Sequence, residues 1–333
     1  MHITDVQSNP ASGLLRLRTD TPHEGWATGV TAATAAAIDQ IYRPLLLDAS
    51  PWERERLWQT LKREGGRAGL PPATWGVVDV ALWDLLGKMQ GLPVFRVIGG
   101  FRDRVPAYLR GNPDIDLNEM ANQARMARDK GFWGCEITIG SEGDSAALVR
   151  ELRQAVGDPF RLLCNGDQGL DLEAALSLGR VLDEIDAHWF EEPLRDHDVT
   201  GLQKLSDALD IPVMAGAFLN GSILAGTRAL TTRAVDRLRA TIPTTGGITD
   251  VLKLARGAEA LGMNCEIDWD RRGAPHAAAH LLGAVRNAEF FACDGPDDDD
   301  AAVVESLPVI DGELHLPQEP GLGLHFTDPS LVS

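Results

Sequence analysis

Cysteine is scarce: four in 333 residues, with Cys135, Cys164, Cys265 and Cys293 too far apart to form a CxxC pair. That spacing excludes a disulfide framework or a cysteine zinc site as the organising device, and a reduced cytoplasmic protein is expected. Basic residues are also few, 31 Lys and Arg against 49 Asp and Glu, a formal charge of −18. Nucleic acid and anionic membranes recruit clustered Lys and Arg, so neither is an expected partner. No stretch reaches the roughly 18 uncharged apolar residues of a membrane span. The opening MHITDVQSNP has neither the basic nor the apolar region of a signal peptide.

What is present is an alternation. Short apolar runs recur at VPAYLRG (105–111), FWGCEITIG (132–140), FRLLCNGD (160–167), AHWFEEP (187–193), IPVMAGA (211–217), DRLRATI (236–242), NCEID (264–268) and EFFACDG (289–295). Between them lie segments such as LNEMANQARMARDKG and DLEAALSLGRVLDEI, apolar near a 3.6 period with charges on the other face. Eight strands separated by helices predict an α/β chain with a (β/α)8 TIM-type barrel over residues 104–300. Residues 1–103 read differently: ITDVQ, GLLRLRTD and GWATG precede three helical stretches, an α+β capping unit. Residues 301–333 are punctuated by Gly and Pro and are expected to pack back on the cap.

Barrel active sites lie at the C-terminal strand ends, where residues two apart share a face. The inward candidates are Glu136 with Thr138, Asn165 with Asp167, Glu191, Ala217, Thr241, Glu266 with Asp268, and Asp294. Cys135, Cys164 and Cys265 alternate with them and should face the helices as small hydrophobes. His188 is expected to face the helix layer too, and His276 and His280 to form an ordinary helix face. The run DDDD (297–300) follows strand eight and is read as a solvated loop near the mouth.

Several motifs carry a resemblance. TWGVVDVALWDLLGKMQGLPVFRVIGGFRDRVPAY (74–108), WFEEP, TTGGIT (244–249) and the ending PGLGLHF are similar to the enolase superfamily, in its mandelate racemase and muconate-lactonizing branch. The resemblance implies an isomerase or lyase (racemase, cycloisomerase or dehydratase) acting on a small hydroxy or sugar acid by α-proton abstraction. It also implies Mg2+ held by carboxylates on strands three, four and five, and a homo-oligomer.

The implied positions are then matched one by one. The Lys-x-Lys of strand two falls on Glu136 and Thr138, and the first metal carboxylate on Asn165. Glu191 keeps the second; the third falls on Ala217. The Asp–His dyad falls on Thr241 and near Asp268. One metal carboxylate in three remains and neither base does, so the ancestral Mg2+-dependent reaction is expected to be lost or altered. The loop between the first two cap strands, which in the family closes over the mouth, is reduced to a few residues in VQSNPASGLLRLRTD.

Four readings stay open: a rebuilt metal site from Asn165, Asp167 and Glu191 with Asp268 or Glu136; carboxylates merely paired with Arg110, Arg239, Arg271 or Arg272; metal-free acid–base chemistry by Glu136 and Asp268; and a catalytically silent homologue serving as a binding or assembly subunit. An acidic mouth also favours a neutral or cationic small-molecule ligand over a carboxylate.

Overall fold

In the computed structural model, which describes residues 1–112, 115–139, 145–158, 160–194, 198–219, 221–270, 275–294 and 303–328, the chain opens with a small antiparallel sheet. Its strands are β1 (Ile3–Asn9), β2 (Leu14–Thr19) and β3 (Glu24–Ala27). Four residues join β1 to β2, in a tight turn where Asn9 Oδ1 accepts from Ala11 N at 2.9 Å and Gly13 supplies a φ of 70°. Helices α1 (Ala32–Ala37), α2 (Arg43–Leu46), α3 (Arg54–Arg67), α4 (Ala73–Gln90) and α5 (Val94–Ile98) complete the cap.

The alternating half follows: β4 (Arg104–Leu109), α6 (Leu117–Asp129), β5 (Gly134–Thr138), α7 (Ser145–Val156), β6 (Arg161–Asn165), α8 (Leu172–Glu184), β7 (Trp189–Glu191), α9 (Val199–Ala208), β8 (Val213–Ala215), α10 (Ile223–Thr232), β9 (Arg237–Ile242), α11 (Ile248–Ala260), β10 (Asn264–Trp269), α12 (Pro275–Ala284) and β11 (Phe291–Cys293). Each apolar run of the sequence yields one strand. Helix starts are local: Asp116, Asp171, Asp198 and Ser222 each accept the N–H three residues on, satisfying a donor the helix leaves orphaned.

Strands β4 to β10 pair in parallel and in order, and β11 returns to β4 through Phe291↔Ala107 and Cys293↔Leu109. Among the described residues no ladder joins β10 to β11; Glu266 closes that seam instead. Its Oε2 accepts from Glu289 N at 3.0 Å and Phe290 N at 3.4 Å, while Oε1 takes Arg237 Nη1 at 2.9 Å. A Glu266→Gln variant, unable to offer those charge-assisted bonds, should lose about 2 kcal/mol of stability, read as a lower urea midpoint.

Two apolar clusters mark which way the strands face. Tyr108, Leu163, Trp189, Met214 and Ala292 fill the barrel interior with Phe290. Cys135, Ile137, Cys164, Phe190, Leu238, Ala240, Cys265 and Ile267 belong to the larger core under the helices. Since strand side chains alternate, Glu136, Thr138, Asn165, Glu191, Arg239, Thr241 and Asp268 share the interior face.

Strands β12 (Val309–Ile310) and β13 (Glu313–His315) form a hairpin, and β13 pairs with the start of β4. The chain then returns to the cap: Asp84 on α4 accepts from Trp26 N and Leu322 N, both at 2.8 Å, and Phe326 packs 5.0 Å from Trp26. The cap is held over the barrel at the TTGGIT turn. Asp79 of α4 accepts from Thr249 N at 2.8 Å and Oγ1 at 2.6 Å, capping α11 from another element. Gly246 and Gly247, at φ 119° and 96°, let the turn approach Asp79 and Trp75 closely.

Candidate active site

At the C-terminal end of the barrel, two arginines organise the interior charges. Arg239 on β9 grips Glu191 on β7 as a two-pronged fork, Nε to Oε1 at 2.8 Å and Nη2 to Oε2 at 2.7 Å. Both are buried, with 4% and 5% exposure, and Nη2 also reaches the Tyr108 hydroxyl at 3.3 Å. Burial works against the Arg239 charge, but Glu191, Tyr108 and Asp268 together more than offset it and the guanidinium stays ionised. Arg110, just past β4, donates from Nη1 to Asp294 at 3.1 Å and from Nη2 to Asp268. Its guanidinium lies 5.1 Å from the Trp269 ring centroid.

Glu136, between these two pairs, is 7% exposed, and no described residue donates a hydrogen bond to its carboxyl. Burial first, with Glu191 and Asp268 adding to it and Arg110 and Arg239 opposing, pushes its pKa up to about 8. That direction favours the protonated acid at neutral pH. Its strand neighbour Thr138 stands in register with Asn165, and Asn165 with Glu191; on the opposite side Asp268 is in register with Thr241. Among the described residues the Thr138 and Thr241 hydroxyls carry no hydrogen bond.

The positions inferred from sequence therefore separate into two groups. Glu136, Thr138, Asn165, Glu191, Thr241 and Asp268 come together on the interior face, as the strand ladders and the two apolar clusters require. Asp167 does not join them: it lies in an exposed left-handed turn at φ 44°, its N–H bound to Asn165 Oδ1 at 2.9 Å. Ala217 is an exposed residue of a 3-10 turn after β8, not an inward strand residue. The inward residue of β8 is Met214, and Gly216 follows it because any side chain there would collide with the Arg239 backbone. His188 departs as well. It meets Trp133 at 4.4 Å and Phe290 at 5.6 Å, in an aromatic plug at the N-terminal end of the barrel rather than in the helix layer. Glu192, which alternation places on the opposite face from Glu191, instead takes φ 42°, and its Oε1 accepts from Gly216 N at 2.6 Å and Ala217 N at 2.9 Å. It laces the end of β7 to the turn after β8. The DDDD run, Arg271 and Arg272 lie outside the described residues.

The residue pairing identifies Arg239 as the organising group of the site. The signal for it was in DRLRATI, where a period of two from Thr241 turns Arg239 inward.

These donors do not fit Mg2+, which requires near-octahedral oxygen ligation. Both Glu191 oxygens are occupied by a guanidinium, the Asn165 oxygen caps its own turn, and Asp268 Oδ1 serves Arg110 and Trp269 N. Among the described residues no group of three His, Cys, Asp or Glu is placed to hold a metal.

Residues 4–99 match the model for the mandelate racemase / muconate lactonizing enzyme N-terminal domain, and residues 119–330 that for the enolase C-terminal domain-like family. An arabinonate dehydratase of Saccharolobus solfataricus is 27% identical, over 92% of this chain and 84% of its own. A D-galactarolactone cycloisomerase of Agrobacterium fabrum is 26% identical, over 96% and 90%. The crystal structure of D-glucarate dehydratase from Agrobacterium tumefaciens, complexed with magnesium, superposes with a TM-score of 0.83 at 28% identity, covering 98% of this chain and 94% of that one.

Proposed function

This chain belongs to the mandelate racemase / muconate lactonizing enzyme branch of the enolase superfamily, and on that premise we propose that it is a small-molecule-binding barrel of isomerase and lyase descent in which Mg2+-dependent α-proton abstraction has been lost. The arabinonate dehydratase and the D-galactarolactone cycloisomerase are named for a sugar acid and a sugar-acid lactone, which makes a polyhydroxy carbon skeleton the ligand's expected frame. The observation that carries the reading is the Arg239–Glu191 fork. Where the resemblance implies a divalent cation against Glu191, the protein supplies a guanidinium of its own.

Magnitudes decide what that substitution means. A positioned base contributes roughly 10²–10⁴ in rate, about 3–5 kcal/mol. A metal Lewis acid adds several more. Enzymes lower barriers by at least about 8 kcal/mol. With Thr138 at the strand-two base position, Thr241 in place of the dyad's Asp, Asp268 near its His but bound to Arg110, and Arg239 on Glu191, both contributions to the ancestral reaction are gone. The four-residue β1–β2 turn also leaves the mouth without that hairpin as a cover, so water is harder to exclude. What remains is a neutral acid, Glu136, able to donate to a ligand oxygen.

A second reading, a silent subunit used for assembly, is favoured by the same short turn. The experiment that tests the loss of the ancestral reaction, common to both readings, incubates the chain with sugar acids, hydroxy acids and dipeptides in D2O, with and without Mg2+ or Mn2+. No deuterium should enter any carbon, and calorimetry should show no heat at millimolar metal. Metal-dependent exchange at the α-carbon would restore the ancestral activity and end the proposal. A cytoplasmic homo-oligomer belongs to the same proposal, the oligomer from the resemblance and the compartment from four free cysteines. No described helix is long and apolar enough to cross a membrane.

A further inference from the structure

Resting on the metal-free reading of the mouth, we propose that the ligand is an uncharged polyhydroxy compound, such as a sugar lactone, rather than the open-chain carboxylate, and that Glu136 and the Nη1 group of Arg239 meet it.

Three observations converge. First, among the described residues the two arginines of the mouth are both already engaged by protein carboxylates. Arg239 is committed to Glu191, and Arg110 to Asp268 and Asp294, so two positive charges already face three negative ones among the described residues. To pair with either of these arginines a ligand carboxylate would have to displace a buried protein carboxylate, and leaving that charge buried and unpaired is costly. Second, the unpartnered groups suit hydroxyls and ring oxygens. Glu136 is more than nine-tenths buried, faces the interior, and receives no hydrogen bond from a described residue. Its protonated carboxyl can both donate and accept. Arg239 Nη1 donates to no described residue, although Nε and Nη2 are both used. Third, the surrounding rim is neutral and polar: the Thr138 and Thr241 hydroxyls, and the Asn165 amide whose oxygen alone is occupied. Alternating neutral donors and acceptors recognise a polyol face without requiring charge neutralisation.

The test uses a matched pair, D-galactono-1,4-lactone and D-galactonate, which share a carbon skeleton and differ in charge. Isothermal titration of the full chain, in chelated buffer and again with Mg2+, should show the lactone binding and the aldonate binding at least tenfold more weakly in both. Glu136→Ala should weaken the lactone at least tenfold. Asp268→Asn, which relieves Arg110 of one carboxylate, should raise aldonate affinity roughly tenfold relative to the lactone. Aldonate binding as tight as lactone in chelated buffer would overturn the ligand class while leaving the metal-free site intact. Tight aldonate binding only with Mg2+ would overturn both. Failure of the lactone to bind at millimolar concentration would also overturn the class.

Discussion

Arg239→Met is expected to cost about 3–5 kcal/mol of folding stability, because it strands the Glu191 carboxylate in a sealed interior. The wild-type pair itself adds little net stability, since two ions surrender their hydration to form it. Replacing both partners, Arg239→Met with Glu191→Leu, should therefore recover most of the loss. Urea unfolding of the wild type, the two single variants and the double variant measures the coupling between them, expected at about 2–4 kcal/mol. The cycle also bears on the cation question. Removing the guanidinium frees both Glu191 oxygens, yet one carboxylate is a poor cage for Mg2+. Millimolar Mg2+ should shift the midpoint of neither wild type nor Arg239→Met. Stabilisation of the wild type by Mg2+ would mean that the ion binds elsewhere in the mouth, because ligands that prefer the native state raise its stability by mass action.

The barrel was legible because its signal is periodic and repeated. Each apolar run became a strand, and the alternation within it set which side chains face the cavity, so Glu136 and Thr138 were recoverable from GCEITIG alone. Legibility ends where the period of two ends. β7 stops at Glu191, and Glu192 takes a left-handed backbone, so counting faces along WFEEP fails at that residue. IPVMAGA fails in the same way, because β8 stops at Ala215 and the close approach of Gly216 to β9 turns the chain away before Ala217. Arg239 illustrates a different gap. Its direction was readable from the strand, but its choice of Glu191 over solvent depends on strands that lie 48 residues apart in sequence. Pairing across a barrel is set by closure, which no local pattern encodes. The cap contacts are similar: Asp79 and Thr249 are 170 residues apart, and only the motif resemblance brought their segments together.

Glu136 gives the site its pH dependence. In the folded barrel burial first, then Glu191 and Asp268, hold its proton up to about pH 8, with Arg110 and Arg239 opposing; the ordinary value is 4.5. Between those two values the native state binds a proton that the unfolded chain has released. Its stabilising contribution is complete below about pH 4.5 and disappears as the pH rises through about 8, an amount of about 5 kcal/mol at most. Buried His276 and His280 act in the opposite direction. Burial lowers them from 6.5 to about 3 and about 4, so the stability they permit is lost as the pH falls below their ordinary value. The wild-type profile therefore includes an acid limb to which these histidines contribute and an alkaline limb to which Glu136 contributes. Glu136→Gln keeps the shape of the neutral acid and cannot ionise, so only the alkaline limb should change. Near pH 5 the variant should match the wild type within about 1 kcal/mol; at pH 9 it should be more stable by several kcal/mol. Urea midpoints measured across that range decide it. Parallel profiles would mean that Glu136 is ionised at neutral pH, and with that the neutral hydrogen-bond donor at the centre of the mouth would be gone.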